Sequence, residues 1–533
     1  MKQSKQRATL VSGVMASNAD DNDVFVYMGA GEGGTAVPQD VVHIRVHPSV
    51  TSIPTKAFFQ RKKLAEVELC EGLVEIGEES FGWYDHSITK INIPNSLRRI
   101  KDYAFSNSLQ TPIRLHDGIE RIGTAAFAEC IFTNFRVPPL ITVIPEYMLR
   151  GCISTFSLEL SDNVTEIKGW ALAYCFCLRN VAIPPNAVFG DGIFFDEDEM
   201  DIHTDLQRLF GNSNARIIFA LQHRFDGLPI HSIVYYQSYN HGVLQILLTA
   251  VDMRSGQRRT LRSKLDPTGN QQDCLGMTPL HILACSSVHD LELYRVIVEK
   301  YPANLTTEDR WGALPLLYAF WGAAPTEIIQ FLLESYQLLY SDHIFNWTMM
   351  VETMGRTDTP KESIENLLCA KQMHFPEQPI DWEYLLDEFA SPSRISFDGA
   401  PFQERMRFLF MCGMLLRVEA LPFKLWRDHI TTMIQTANFQ YNRDNSIILR
   451  AIREKLAHFE DELPKLEEVT TILELALWNM KMNENGHKRE TTHSPKKFKT
   501  DVSDIRRQCR VICGADIIIR LVLPFLITSV VEE

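Results

Sequence analysis

Nowhere in the 533 residues is there an uninterrupted apolar run of about 20, the length a helix needs to cross a bilayer. The nearest approach, ADIIIRLVLPFLITSVV, is broken by Asp516, Arg520 and Pro524; it reads as a docked terminal segment, with a tail anchor as the alternative. Positive charge is also short: 53 Lys and Arg stand against 67 Asp and Glu, a net charge of -14. No chain-wide field then favours nucleic acid or an anionic membrane, and neither partner is expected. Cysteine is sparse, with 11 residues scattered over the chain, no C-x-x-C, and Cys175-x-Cys177 as the closest pair. That pattern excludes a dense secreted disulfide framework and implies reduced thiols in a cytoplasmic or nuclear setting.

Catalytic signatures are missing in the same way. There is no G-x-x-x-x-G-K-[ST], no H-E-x-x-H and no G-x-S-x-G. GAGEGG, residues 29–34, fits a dinucleotide fingerprint after the strand-like VFVYM, but Thr35 to Pro38 lead into another strand where that motif requires a helix. It reads as a Gly-rich hairpin turn. FFDEDEMDIHTD, residues 194–205, lacks the glycine and spaced oxygens of a calcium loop and reads as a solvated junction. No residue is assigned a catalytic, metal-binding or cofactor-binding role, and a non-enzymatic protein is expected. The remaining composition, 45% apolar and 23% charged, is that of a globular chain long enough for several domains.

What the sequence has in abundance is repetition. Isoleucine recurs at 53, 76, 100, 122, 144 and 167, in steps of 23, 24, 22, 22 and 23. Five residues after each comes Phe58, Phe81, Phe105, Phe127, Leu149 or Leu172, sharing that irregular series. Such a period predicts a solenoid in which each unit is a short strand plus a return segment, its apolar face hidden only by stacking. Strand side chains alternate faces, so pairs such as Ile44/Val46, Val67/Leu69 and Ile91/Ile93 point inward. The residues between them form an outward column: Arg45, Glu68, Asn92, Arg114, Arg136, Glu159 and Ala182. Arg45 with Glu68 and Arg136 with Glu159 can pair across strands; Arg114 beside Arg136 is a candidate dock for an acidic partner, against a solvated face as the alternative. Cys130, Cys152 and Cys175 form a third column, expected to be buried thiols rather than a metal site, since zinc wants a tetrahedron.

INIPNSLRRIKDYAF and IRLHDGIERIGTAAF carry the pattern I-x-I-P-x-x-V-x-x-I-G-x-x-A-F. The block from about 41 to 190 resembles the BspA-like variant of the leucine-rich repeat family. PEYML and KGWAL, which replace the Ala-Phe ending in two later units, are expected to deform the stack.

A second repeat follows. DCLGMTPLHILAC and DRWGALPLLYAF place Gly276 and Gly312, and Pro279 and Pro315, 36 residues apart, each before a further amphipathic run. Thr278 suits an N-cap and Pro279 the first helical position. The segment resembles ankyrin repeats, whose hallmark is TPLH, with GLPIHSIVYYQS as a degenerate upstream copy; the resemblance implies a protein-binding surface and no chemistry. From 360 to 483 further helices are expected. Beyond them Lys496, Lys497 and Lys499 resemble a nuclear-localisation cluster, and Ser494-Pro495 a proline-directed phosphorylation site that would cancel part of that charge.

The expected architecture is an α+β repeat protein. A disordered tail (1–23), with a targeting peptide as the alternative, precedes a leucine-rich β-solenoid (24–193), an acidic junction (194–206) and ankyrin-like helical repeats (207–358). A helical extension (359–483), a basic disordered linker (484–504) and an apolar C-terminal segment (505–533) complete it. The expected function is a scaffold or adaptor that binds other proteins. A nuclear factor regulated through Ser494 and the basic cluster, and an enzyme with an unrecognised site in the helical region, are the alternatives.

Overall fold

A computed structural model of the chain describes residues 24–29, 37–82, 88–195, 203–237, 266–355 and 359–385, apart from a few positions within these ranges. The chain divides into two compact units, residues 1–343 with 356–363, and residues 344–355 with 364–533. The first unit opens with a β-solenoid of about seven turns and continues as helices.

The solenoid stacks through three parallel ladders, the first two of them interrupted, since no strand covers residues 113–115 and Arg121–Ile122 does not pair with Val143–Ile144. The first holds the inward apolar pairs. Val24–Tyr27, His43–Val46, Glu66–Glu68 and Lys90–Ile91 form one sheet, and Asn134–Arg136 with Ser157–Glu159 form another. Register follows the repeat, with Ile44 opposite Val67 and Arg45 opposite Glu68. The second ladder is the isoleucine column. Its strands are two residues long, Ser52–Ile53, Glu75–Ile76, Arg99–Ile100 and Arg121–Ile122 in one sheet, then Val143–Ile144, Glu166–Ile167 and Val188–Phe189 in another.

The expected hairpin at residues 29–34 is overturned. Val24–Tyr27 pairs in parallel with His43–Val46, whereas a hairpin joins antiparallel strands. Val24–Tyr27 is thus a further parallel rung at the edge of the first ladder. Residues 30–36 themselves lie outside the described residues.

The third ladder runs through the return segments and carries the phenylalanines. Phe58 N–H donates to Ser80 O, Phe81 to Ala104 O and Phe105 to Ala126 O, each at 2.9 Å. The residues two before and two after the Phe column adopt left-handed conformations, as Tyr103 and Asn107 do at φ 54° and 53°, and Ala125 and Glu129 at 50° and 57°. Alternation of handed conformations turns every second N–H toward the next rung. The N–H groups between them close local turns, as Ala104 to Lys101 O and Ser106 to Tyr103 O. Left-handed backbone costs a non-glycine residue about 1–2 kcal/mol, so these positions persist because two ladders fix the chain on either side. Tyr147 and Trp170 hold the same conformation at φ 58°, and Leu149 and Leu172 donate to Ala171 O and Ile193 O. PEYML and KGWAL therefore continue this third ladder, while the isoleucine ladder breaks between Arg121–Ile122 and Val143–Ile144, just before PEYML.

The rings of Phe58, Phe81, Phe105 and Phe127 are fully buried and stack at centroid separations of 4.9, 5.2 and 5.7 Å. Beside them the thiols of Cys130, Cys152 and Cys175 donate to the carbonyls of Phe105, Phe127 and Leu149 on the preceding rung. Burial pushes the Cys130 and Cys175 thiols up to about 12, so they remain protonated donors.

Helices α1 (Asp205–Phe210), α2 (Asn214–Gln222) and α3 (Pro229–Gln237) follow, then α4 (Pro279–Ala284), α5 (Leu291–Lys300), α6 (Pro315–Trp321) and α7 (Thr326–Leu339). The turns before α4 and α6 are copies of one another. Asp273 Oδ1 accepts from Leu275 and Met277 N–H, and Asp309 Oδ1 from Trp311 and Ala313 N–H. Gly276 and Gly312 occupy left-handed positions at φ 77° and 74°, and Pro279 and Pro315 stand at the first helical residue, where a missing N–H is harmless. His281 links the copies: Nδ1 accepts from Thr278 N–H while Nε2–H donates to Ala313 O. Two further helices follow, α8 (Trp347–Gly355) and α9 (Lys361–His374), and in the second unit the rings of Phe345, Trp347 and Phe375 pack together.

Replacing Phe105 by Ala removes a ring stacked on both sides and should lower stability by about 3–5 kcal/mol in urea unfolding. At the exposed left-handed Gln60 (φ 60°), Gln60→Ile should cost at least about 1 kcal/mol and Gln60→Gly should not. Equal effects of the two substitutions would contradict the left-handed ladder.

Candidate interaction surfaces

The outward column behaves differently at its two ends. At the N-terminal end Glu68 accepts from Arg45 Nε and lies 2.9 Å from His43 Nε2, contacts that hold its carboxyl below the usual range, the Arg45 hydrogen bond first. Asn92 is exposed, yet its amide clamps the neighbouring strand end: Oδ1 accepts from Leu69 N–H at 2.8 Å and Nδ2 donates to Leu69 O at 2.7 Å. Arg136 donates to Asp117 Oδ1 at 2.6 Å. Arg114 is exposed and has no ion pair among the described residues.

Glu159 and Ala182 were expected to face solvent with the rest. Both are buried, at 8% and 1% exposure, because the helical region lies over the last rungs. The Glu159 carboxylate accepts from Ser287 N–H in the loop after α4. Burial pushes its carboxyl up, opposed by the Ser287 N–H and by Arg136, so the expected Arg136–Glu159 attraction exists as a field rather than as a direct pair.

The covering contacts are polar as well as apolar. Tyr235 on α3 donates its hydroxyl to Leu158 O at 2.6 Å and accepts from Leu160 and Ala182 N–H at 3.2 and 3.1 Å. Arg224, fully buried, pairs with Asp273 at 2.7 Å and donates to Val181 O at 2.9 Å. Arg179 reaches Asp205 at 2.6 Å and lies over the rings of Trp311 and Trp321. Phe156 packs on Trp321 with centroids 4.4 Å apart. At the ends of the 194–205 run Phe194, Phe195, Thr204 and Asp205 are buried and His203 is exposed, while residues 196–202, which carry most of its acidic groups, lie outside the described residues.

Sequence reasoning missed this cover, although a signal was present. The outward column changes from charged residues to Ala182, and Thr133, Asn134, Ser157 and Asn180 on the last rungs are buried and polar. Ser494, Lys496, Lys497 and Lys499 lie outside the described residues, as does most of the helical extension. Among the described residues no cluster of His, Cys, Asp and Glu could hold a metal ion, and no helix is long and apolar enough to cross a membrane.

Comparison with known proteins identifies the solenoid. The BspA type leucine rich repeat region matches in six copies over residues 39–107 and 82–200, so this part of the chain carries BspA-type leucine-rich repeats. No curated protein matches the chain. Similar solved structures include a leucine rich cell surface protein from Faecalibacterium prausnitzii (24% identity, 28% of this chain and 48% of that one, TM-score 0.21). A leucine rich repeat protein of T. pallidum is 18% identical over 30% of this chain and 86% of that one, with TM-score 0.23. One from Bacteroides ovatus is 21% identical over 27% and 50%, with TM-score 0.19. The chain thus spans about half the length of the first and third of these.

Two outcomes test the junction. Arg224→Met leaves Asp273 buried and unpaired and should cost about 3–5 kcal/mol, whereas Arg45→Ala on the open column should cost about 0–1 kcal/mol in the same urea titration. The second concerns pH. Burial depresses both His231 and His289 to about 4, with Arg224 adding to the first and Arg114 to the second. The unfolded chain protonates these rings near pH 6.5 and the folded chain does not, so their contribution is whole above about pH 6.5 and is lost as pH falls toward 4. Glu159, raised by burial, works in the opposite sense. Urea midpoints should therefore fall between pH 7 and pH 5, and the fall should shrink in His231→Gln/His289→Gln; an unchanged slope in that variant would remove the assignment.

Proposed function

We propose that this leucine-rich repeat protein is a non-enzymatic adaptor that binds an acidic segment of another protein through the open end of its strand face. The observation that carries the reading is Arg114. Charge is neutralised around it by pairing, Arg45 with Glu68, Lys90 with Glu66 and Arg136 with Asp117, while Arg114 stands exposed with no ion pair among the described residues. Arg114 lies in the interval between the Lys90–Ile91 and Asn134–Arg136 strands, where an exposed cation offers a contact to a carboxylate, and such charges act chiefly on encounter rate and specificity.

The helix pairs α4–α5 and α6–α7 fit ankyrin-like repeats in this proposal. Their support is the doubled turn around Asp273 and Asp309 and the His281 bridge between copies. A reducing, intracellular location is part of the same reading, supported by the Cys130, Cys152 and Cys175 thiols, which are buried and donate to backbone carbonyls. Control of location through Ser494 and Lys496, Lys497 and Lys499 remains a proposal on sequence alone.

Affinity capture with the full chain, beside Arg114→Glu, tests the function. Partners specific to the wild-type protein should be lost or reduced at least 10-fold by the charge reversal, and their capture should weaken with salt as an ionic contact does. An identical captured set from both proteins would overturn the proposal.

A further inference from the structure

The tripeptide N-x-[ST], with x other than Pro, is the acceptor signal for an N-linked glycan. The chain carries it three times, as Asn163-Val164-Thr165, Asn304-Leu305-Thr306 and Asn346-Trp347-Thr348. Asn163 and Asn346 are exposed, as a residue bearing so bulky and hydrated a group must be. Asn304 is the opposite case: it is 1% exposed, and Leu305 beside it is fully buried.

The amide of Asn304 is used at both ends. Its Nδ2 donates to Gly269 O at 3.0 Å and lies 3.4 Å from Asn270 Oδ1. Its Oδ1 accepts from Leu280 N–H at 3.4 Å, an N–H in the first turn of α4 that has no partner within its own helix. Asn304 thus ties the turn at Pro267–Asn270 to the turn at Pro302–Leu305 and caps α4 between them. There is no room to enlarge it. A single Cβ added at neighbouring Gly269 would stand 2.2 Å from the Tyr301 ring.

Burial in the finished fold does not by itself protect the acceptor, because glycan transfer acts on chains still entering a lumen. The order of the sequence decides the matter. Leu305 O accepts from the hydroxyl of Tyr336, 31 residues further on and fully buried, so the site is sealed only after α7 has arrived. Until then Asn304-Leu305-Thr306 is an open acceptor. Transfer from a lipid diphosphate oligosaccharide breaks the sugar C1–O bond to the diphosphate and forms a C1–Nδ2 bond. The lipid diphosphate leaves, and one Nδ2 proton passes to the transferase. The modified side chain then has a sugar where the fold requires contact with Gly269 and Asn270.

We infer that glycosylation of Asn304 and folding of the helical repeats exclude one another, so that this chain reaches its structure only on the cytosolic side of any membrane whose lumen N-glycosylates. The inference deepens the intracellular part of the reading above from an observation independent of the thiols and of Arg114. Its failure would remove that location and leave capture through Arg114 untouched.

The test compares the full chain in the cytosol of cultured mammalian cells with the full chain carrying an added cleavable signal peptide. In the cytosol it should be folded, trypsin-resistant and unmodified at Asn304. In the lumen, peptide mass after treatment with peptide N-glycosidase should show Asn304 converted to aspartate, and the protein should be trypsin-sensitive and retained, as unfolded chains are. Thr306→Ala removes the acceptor while leaving Asn304 and its bonds, and should raise secretion of trypsin-resistant protein by at least about 10-fold. Thr165→Ala, which removes an exposed acceptor, should not. Secretion of the folded wild-type chain, with or without a glycan at Asn304, would overturn the inference. So would a Thr306→Ala protein secreted no better than wild type, or an equal gain from Thr165→Ala.

Discussion

A parallel ladder must end somewhere, and at its last rung each strand leaves a row of N–H and C=O groups with nothing to pair with. Buried and unmet, each such group costs about 1–3 kcal/mol. Much of the first unit is organised around that constraint. The Tyr235 hydroxyl meets Leu158 O together with the N–H groups of Leu160 and Ala182, and Arg224 meets Val181 O. Asp205 N–H donates to Phe176 O and Ile183 N–H to Leu221 O. The helices therefore complete the hydrogen bonding of the final strands, which explains why the same residues also carry the buried ion pairs.

The polar character of that junction has a second effect. Apolar surfaces alone can slide, since one methyl group serves nearly as well as another. A guanidinium held simultaneously by Asp273 and by a strand carbonyl can be satisfied in one arrangement only, and the sheared alternatives leave a buried charge unpaired. Whether such pairs add net stability is a separate matter from whether they fix one geometry.

The solenoid was legible in the sequence because its signal is written many times: isoleucine and phenylalanine columns in one irregular series leave little room for another reading. The inward pairs, the Arg45–Glu68 pair and the buried thiols followed from alternation and register. The cover over Glu159 and Ala182 was not legible, because alternation tells which face a side chain takes and not what lies on that face. The parallel pairing of Val24–Tyr27 escaped for a related reason: a glycine-rich link suits a tight turn and a longer crossing alike, and its partner strand decides between them. In the candidate sites, Arg114 was visible as a member of a column, but its isolation depended on Asp117 capturing Arg136, a contact set by loop geometry.

The stacking distance in the phenylalanine column has a consequence for how such a surface varies. Because every rung repeats at nearly one interval, any gap made by a small residue in a column of large ones comes in whole steps of about one ring thickness. A single Ala opens one step, two in succession would open two, and duplication of a rung would move the gap along the row without changing its width. The solenoid is in that sense a ruled surface, on which point substitutions choose the size of a recess and repeat number chooses its position.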